Sequence, residues 1–142
     1  MHIRDGLLLT GGGGKLRVRI CDERAVLTVK GPRKGLARHE FEYPVPLSDA
    51  EDMISSLAMG RILSKWRFLV PFGGLVWEVD RYEAPLEGVT IAEVELPRED
   101  YPLVLPSWAG DEITGDPKWR KIALLAKAQE LALASVTKAS SD

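Results

Sequence analysis

Five segments of the chain each carry two side chains of like charge at positions two residues apart. The pairs are Arg17 and Arg19, Glu40 and Glu42, Lys65 and Arg67, Glu78 and Asp80, and Glu93 and Glu95. Residues two apart in a β-strand point to the same face, and the residue inside each pair is apolar. We therefore expect strands with one charged and one apolar face. Cationic side chains suit phosphate oxygens, and carboxylates suit hard divalent cations.

A solvated sheet face is the commonest use of such charge, and cross-strand pairs of opposite sign stabilise it by about 0.2–1 kcal/mol each. The separation of signs and the choice of arginine favour binding, because arginine makes bidentate contacts with phosphate. With Lys30 and Arg38 added, the cationic side chains of this set equal the acidic ones in number. The pattern is typical of a cavity that holds a complex of a metal ion with a polyphosphate.

The elements that must position these side chains are predicted from alternation and turn residues. Strands are expected at 3–9, 15–20, 25–30, 37–43, 65–71, 75–82 and 90–96. One helix should begin at Ser48 with Glu51 completing a capping box, and a second should span 117–138 with Asp116 as its cap. Strands in hairpin order predict an α+β fold, an antiparallel β-barrel with a charged interior and with helices packed outside.

Bulk composition limits the classes of function. A length of 142 residues, 45% of them hydrophobic and 28% charged, indicates a single soluble domain. The net charge of -2 argues against nucleic acid as a partner, and Cys21 is the only cysteine, so no internal disulfide can form. No apolar run is long enough for a membrane helix. We expect a cytoplasmic protein with no membrane partner.

Taken in order, these segments resemble the CYTH domain family, the triphosphate tunnel metalloenzymes. The matching stretches are Arg17-Val-Arg19, Leu27-Thr-Val-Lys-Gly31, Arg38-His-Glu-Phe-Glu42, Lys65-Trp-Arg67, Trp77-Glu-Val-Asp80, Ala92-Glu-Val-Glu95 and Glu112-Ile-Thr-Gly-Asp116. No single stretch is specific, but the ordered series covers roughly residues 3–126. The resemblance implies one domain over 1–142, built as an antiparallel tunnel with charged inner walls.

The resemblance also implies roles for individual residues. The side chains expected to bind triphosphate are Arg17, Arg19, Lys30, Arg38, Lys65 and Arg67, with Lys118 or Lys121 added from the last helix. Arg38 has the alternative role of holding Glu40 and Glu42. The expected ligands of Mg²⁺ or Mn²⁺ are Glu93, Glu95, Glu40, Glu42, Glu78 and Asp80. Catalysis is expected from Glu93 and Glu95 with Lys65 and Arg67.

The sequence departs from the family pattern at its start, where no Glu-x-Glu-x-Lys strand precedes the Met1 segment. We expect seven strands where the family has eight, through truncation or as a natural short form. We further expect low activity, and an open edge that favours a homodimer. The leading hypothesis is a metal-dependent hydrolase of triphosphate compounds: inorganic, thiamine or nucleoside triphosphates. The alternatives are a non-catalytic polyphosphate-binding module and a class IV-type adenylate cyclase.

Overall fold

The computed structural model describes residues 1–35 and 37–141, with 135–141 as backbone only. Its strands are β1 (His2–Gly11), β2 (Gly14–Cys21), β3 (Arg24–Lys30), β4 (Glu40–Val45), β5 (Ile62–Phe72), β6 (Leu75–Tyr82) and β7 (Thr90–Val94). Its α-helices are α1 (Leu47–Leu57) and α2 (Lys121–Ser141), and a single 3₁₀ turn (Pro117–Trp119) precedes α2. No helix in the described part of the chain is long and apolar enough to cross a membrane.

Within the described residues the strands form one antiparallel sheet in the order β4-β3-β2-β1-β5-β6-β7. The first strand of the chain therefore lies at the centre of the sheet, between β2 and β5. The predicted α+β architecture with an antiparallel sheet is confirmed. In this hydrogen-bonded order β4 and β7 stand at the two ends, and closure into a tunnel stays a prediction.

The two helices pack on opposite faces of the sheet. We call these the α1 face and the α2 face. On the α1 face, Ala50 and Ile54 lie one helical turn apart and pack against Leu8 and Val18 in one buried cluster. Gly6 permits this close approach, because a Cβ there would lie 3.1 Å from Cγ1 of Ile54.

A second cluster of buried residues packs α2 against part of the α2 face. Leu7 and Leu63 from neighbouring strands and Ile91 from β7 pack against Leu124 and Leu125 of the helix. The same sheet face continues beyond this cluster into charged residues. The helix therefore covers only part of the face that carries the predicted charge pairs.

The predicted capping box at the start of α1 is wrong. The helix begins at Leu47 after Pro46, and no side chain caps it. Glu51 instead accepts hydrogen bonds from the guanidinium of Arg4 on β1. The carboxylate of Glu51 is therefore bound to Arg4 and does not cap the helix backbone.

Several other element boundaries differ from the sequence prediction by a few residues, and two of these differences have a clear physical cause. β4 continues through Pro44, which an edge strand tolerates because it needs no ladder hydrogen bond on its outer side. The helix expected over 117–138 begins only at Lys121, because Asp116 caps the separate 3₁₀ turn by accepting from the backbone N–H of Lys118 at 3.1 Å. The later start of α2 decides which of the two candidate lysines reaches the sheet.

Two glycines that pair across the β1–β2 hairpin offer a matched test of the structure. A Cβ on Gly14 would lie 2.9 Å from the carbonyl oxygen of Lys30, whereas a Cβ on Gly11 would meet nothing within 4 Å. Gly14→Ala should therefore lower the free energy of unfolding by about 1–3 kcal/mol. Gly11→Ala, measured beside it by urea denaturation, should change little. Equal effects of the two substitutions would contradict the described hairpin packing.

Candidate functional site

The strand register brings most of the predicted charged residues to the α2 face. Arg19 lies opposite Asp5, Arg67 opposite Asp80, and Glu78 opposite Glu93. The residues that share this face by register are Arg17, Arg19, Lys30, Glu40, Glu42, Lys65, Arg67, Glu78, Asp80 and Glu93. Two predicted residues lie outside the strands: Arg38 precedes β4, and Glu95 follows the last residue of β7.

The centre of this face is a buried carboxylate that the sequence prediction missed. Asp5 of β1 is fully buried and accepts hydrogen bonds from Nε and Nη2 of Arg19 at 2.7 and 2.9 Å. Nζ of Lys121, the first residue of α2, lies 2.6 Å from Oδ2 of the same carboxylate. Asp5 lies between Ile3 and Leu7 on the same face of β1. An acidic residue in this otherwise apolar alternation is the sequence feature that could have revealed a buried carboxylate.

The charges in this group shift one another's pKa values in opposite directions. Burial alone would raise the pKa of Asp5, but the hydrogen bonds from Arg19 and the charge of Lys121 outweigh it and hold the pKa well below the ordinary 3.8. Burial lowers the pKa of Lys121 to about 8, against the attraction of Asp5 and with the help of Arg19 and Arg17. Asp5 is therefore ionised throughout the physiological range, and Lys121 titrates at its upper end.

The structure decides between the two candidate lysines of the last helix. Lys118 has a 73% exposed side chain whose Nζ lies 3.8 Å from Asp116, the cap of its own 3₁₀ turn. Lys121 reaches the sheet and contacts Asp5. Lys121 is the residue that α2 contributes to the charged face.

A second closed network surrounds Asp80 on β6. Nζ of Lys65 donates to Oδ2 at 2.7 Å, and Arg67 donates from Nε to Oδ1 at 2.7 Å and from Nη2 to Oδ2 at 2.9 Å. Both oxygens of Asp80 are therefore occupied by cations, and the hydrogen bond to Asp80 raises the pKa of Arg67. Arg67 also reaches Glu78, with Nη1 at 3.1 Å from Oε2. This places Asp80 as the residue that orients Lys65 and Arg67.

Arg17 on β2 and Lys30 on β3 lack such close acidic partners among the described residues. Nε of Arg17 is buried and has no hydrogen-bond partner among the described residues. Nζ of Lys30 lies 3.9 Å from Glu40, beyond hydrogen-bond distance, and burial together with the charge of Arg17 lowers its pKa. A buried donor without a partner costs about 1–3 kcal/mol, and an anion at this position would satisfy it. This part of the face therefore carries positive charge that the described residues only partly offset.

Arg38 is hydrogen-bonded to the backbone at the β1–β2 turn, and its predicted role in substrate binding stays a prediction. Its Nε donates to the carbonyl oxygen of Gly31 at 2.7 Å and its Nη2 to that of Gly13 at 3.2 Å. It thereby ties the end of β3 to the β1–β2 turn. In the described part of the chain it makes no hydrogen bond to Glu40 or Glu42.

Two acidic residues of the α2 face are placed where they could share a divalent cation. No group of three acidic, histidine or cysteine side chains lies close enough to hold a metal among the described residues. Glu78 and Glu93, however, lie directly opposite each other, an arrangement of like charges that destabilises a sheet unless a cation offsets it. Mg²⁺ commonly binds one or two carboxylates and completes its coordination with water and substrate phosphates. This pair fits such an ion in the company of phosphate.

The remaining acidic candidates are placed apart from that pair. Glu40 and Glu42 lie on β4, at the other end of the hydrogen-bonded strand order from Glu93 on β7. Glu42 lies opposite Thr28, and Glu40 opposite Lys30. Any contribution of these two residues to the same metal ion requires the predicted closure of the sheet.

Comparisons with known proteins agree with this architecture. The family model described as the CYTH domain matches residues 5–141, and the chain belongs to the CYTH domain family. It is 37% identical to an inorganic triphosphatase of Acetivibrio thermocellus, over 82% of this chain and 74% of that protein. It is 31% identical to an inorganic triphosphatase of Nitrosomonas europaea, over 86% and 82%. The crystal structure of the inorganic triphosphatase NE1496 superposes with a TM-score of 0.72 at 26% identity, covering 90% of this chain and 81% of that one.

Substitution of Asp5 tests the central network. Asp5→Asn keeps the shape but leaves Arg19 and Lys121 without their buried counter-charge, so the free energy of unfolding at pH 7 should fall by about 3–5 kcal/mol. Because the pKa of Asp5 is lowered in the folded state, its stabilisation is present above pH 3.8 and is lost as the pH falls further. The difference between wild type and variant in urea denaturation should therefore shrink in acid.

The matched control is Asp100→Asn, which removes an exposed carboxylate that pairs with Arg98 at 2.9 Å. Exposed pairs contribute little, so this substitution should leave stability nearly unchanged. A similar small effect at Asp5 would show that its carboxylate does not hold the two cations.

Proposed function

We propose that this protein is a metal-dependent hydrolase of inorganic triphosphate. The observation that carries the proposal is the buried Nε of Arg17, which lies on a face lined with cations and has no hydrogen-bond partner in the described part of the chain. The names of the relatives point to the same substrate. Thiamine and nucleoside triphosphates rank second, because they share the phosphate chain.

Binding follows from the division of charge on the α2 face. Arg17 and Lys30 are the cations whose charge is least compensated, and Arg19 and Lys121 lie beside them around Asp5. A triphosphate in contact with these groups would supply the missing acceptor for Arg17. Because lysine and arginine would contact several phosphoryl oxygens, the bound triphosphate would be held in one orientation.

Hydrolysis of a phosphoanhydride depends mainly on positioning and on electrostatic stabilisation, so no cysteine or serine nucleophile is needed. Lys65 and Arg67 are held in fixed positions by Asp80 and would offset charge that develops on the phosphoryl oxygens. Glu78 and Glu93 would hold Mg²⁺ or Mn²⁺. The bound ion would polarise the phosphoryl group and lower the pKa of a water molecule.

A non-catalytic polyphosphate-binding module is the second candidate. It is favoured by the absence, among the described residues, of a group of three side chains able to hold a metal. Release of phosphate from triphosphate with Mg²⁺ or Mn²⁺, and its loss on chelation, would support the hydrolase. Thermal stabilisation by triphosphate without any phosphate release would support the binding module.

Arg17→Gln tests the residue that carries the proposal. Loss of a charged hydrogen bond to phosphate should weaken triphosphate binding in calorimetry by about tenfold or more, since 1.4 kcal/mol corresponds to tenfold. Stability should not fall, because the substitution removes a buried donor that has no partner. Arg24→Gln, at the exposed start of β3, removes the same charge and should leave binding unchanged. Equal loss in both variants would mean that only net charge matters.

The pKa of Lys121 predicts the pH dependence of binding. Burial lowers it to about 8, so the side chain is a cation below that pH and neutral above it. Affinity for triphosphate should therefore fall as the pH rises through about 8 in the wild type. Lys121→Arg keeps its charge and should bind with a flatter profile over the same range. Identical pH profiles in titration calorimetry would exclude Lys121 from the anion site.

A further inference from the structure

Lys65 has an aromatic neighbour on the α2 face as well as an acidic one. Its Nζ lies 5.4 Å from the centre of the ring of Tyr82, within the distance at which a cation is attracted to the electron-rich face of an aromatic ring. The two residues lie directly opposite each other on β5 and β6. The contact is therefore a cross-strand pair on the same face as the proposed triphosphate site.

The structure fixes Tyr82 where β6 ends. Its backbone N–H donates to the carbonyl oxygen of Val89 at 3.0 Å, and the N–H of the next residue, Glu83, donates to the carbonyl oxygen of Ser64 at 2.8 Å. The side chain of Tyr82 packs against the buried cluster that joins α2 to the sheet. The ring therefore lies at the boundary between the apolar and the charged parts of the α2 face.

The two cations that share Asp80 are not held equally well. Arg67 makes two hydrogen bonds to Asp80 and also contacts Glu78, and its planar guanidinium keeps the orientation that these contacts impose. Lys65 makes a single hydrogen bond to Asp80, and its ammonium lies at the end of a flexible stem. The ring of Tyr82 supplies the second contact that a single hydrogen bond lacks.

The contacts of the Lys65 ammonium leave one donor available. An ammonium carries three N–H groups. Asp80 accepts from one of them and the ring of Tyr82 covers a second side, while the third has no partner among the described residues. Lys65 is only 4% exposed, so water does not freely replace either contact. The remaining N–H is the one that an anion can accept.

We propose that Tyr82 is a positioning residue whose ring holds the ammonium of Lys65 so that its free N–H meets a phosphoryl oxygen of the substrate. Tyr82 acts through Lys65 and does not itself touch the substrate. This inference rests on the proposed function, because Lys65 is taken to offset charge on the phosphoryl group. It gives a role in the site to an uncharged residue that lies outside the predicted charge pairs.

The hydroxyl group of Tyr82 offers a competing explanation. Burial, together with the charges of Asp80, Asp5 and Glu93, raises the pKa of Tyr82 to about 12, so the phenol stays neutral and could donate a hydrogen bond to phosphate. Phenylalanine keeps the ring and lacks the hydroxyl. Tyr82→Phe should therefore leave kcat/KM for triphosphate within about twofold of wild type. A loss of about tenfold or more would assign the role to the hydroxyl and overturn the proposal.

Tyr82→Leu removes the ring and keeps an apolar side chain against the buried cluster. It should lower kcat/KM for triphosphate about tenfold, and the affinity for triphosphate in metal-free calorimetry about threefold. In a Lys65→Met background the same substitution should change either quantity less than about twofold, because no ammonium is left to position. Equal effects of Tyr82→Leu in the two backgrounds would mean that the ring acts only by packing.

Fluorinated phenylalanines at position 82 separate the attraction of the ring for a cation from its packing. One, two and then three fluorine atoms weaken that attraction step by step while the size of the ring changes little. Both kcat/KM and the metal-free affinity for triphosphate should fall along the series, with nearly constant melting temperatures. A series without any trend in these two quantities would overturn the proposal.

The matched control is Tyr101→Leu. Tyr101 makes the other cation–ring contact in the described part of the chain, with Cζ of Arg98 5.5 Å from the centre of its ring, and it lies in the segment between β7 and the 3₁₀ turn. Its loss should leave both quantities unchanged. A loss as large as that of Tyr82→Leu would show that the effect is not specific to the contact with Lys65.

Failure of the proposed function gives a different result. If triphosphate binds without being hydrolysed and its affinity still falls along the fluorine series, the role of Tyr82 stands and hydrolysis does not. If triphosphate is hydrolysed and the series shows no trend, the proposed function stands and the role of Tyr82 is excluded. If wild type neither binds nor hydrolyses triphosphate, both are overturned.

Discussion

The contact on which the structure most depends is the one that Asp5 makes with Arg19 and Lys121. Asp5 lies on the central strand, where an ionised carboxylate is tolerated only because cations on both sides of it replace water. The same contact joins the first residue of α2 to the sheet. It therefore fixes where the helix lies on the α2 face and how much of that face stays open. Leu124 and Leu125 then cover the apolar part, and the charged part remains accessible for binding.

The charges on this face serve two different purposes. Around Asp5 and Asp80, each carboxylate holds two cations in defined geometry, so these side chains are oriented before any ligand arrives. Among the described residues, Nε of Arg17 has no hydrogen-bond partner and Lys30 comes no closer than 3.9 Å to Glu40, so both keep a positive potential in a half-buried position. Preorganised cations offset developing charge without reorganisation, and uncompensated cations supply affinity for an anion. Both features would serve the triphosphate hydrolysis that we propose.

Alternation in the sequence predicts the strands and the face on which each charged pair lies, because both depend only on local geometry. Residues 75–82 and the pair Arg17 and Arg19 illustrate this. The position of β1 between β2 and β5 depends on pairings between distant segments, so the burial of Asp5 could not be derived from hairpin order. Lys121 and not Lys118 reaches the sheet because the 3₁₀ turn at Pro117–Trp119 precedes α2, so the helix begins only at Lys121. Glu51 pairs with Arg4 through a similar long-range contact, which capping rules do not include.

The central claim is that the charged α2 face is where a phosphate chain binds. A crystal structure of this protein with tripolyphosphate bound tests it most directly. We expect a phosphate oxygen within hydrogen-bond distance of Nε of Arg17, with Lys30 and Lys121 contacting the same anion. A triphosphate bound on the opposite face, for example at Arg81 beside Trp66 and Phe68, with Nε of Arg17 still unpartnered, would contradict it.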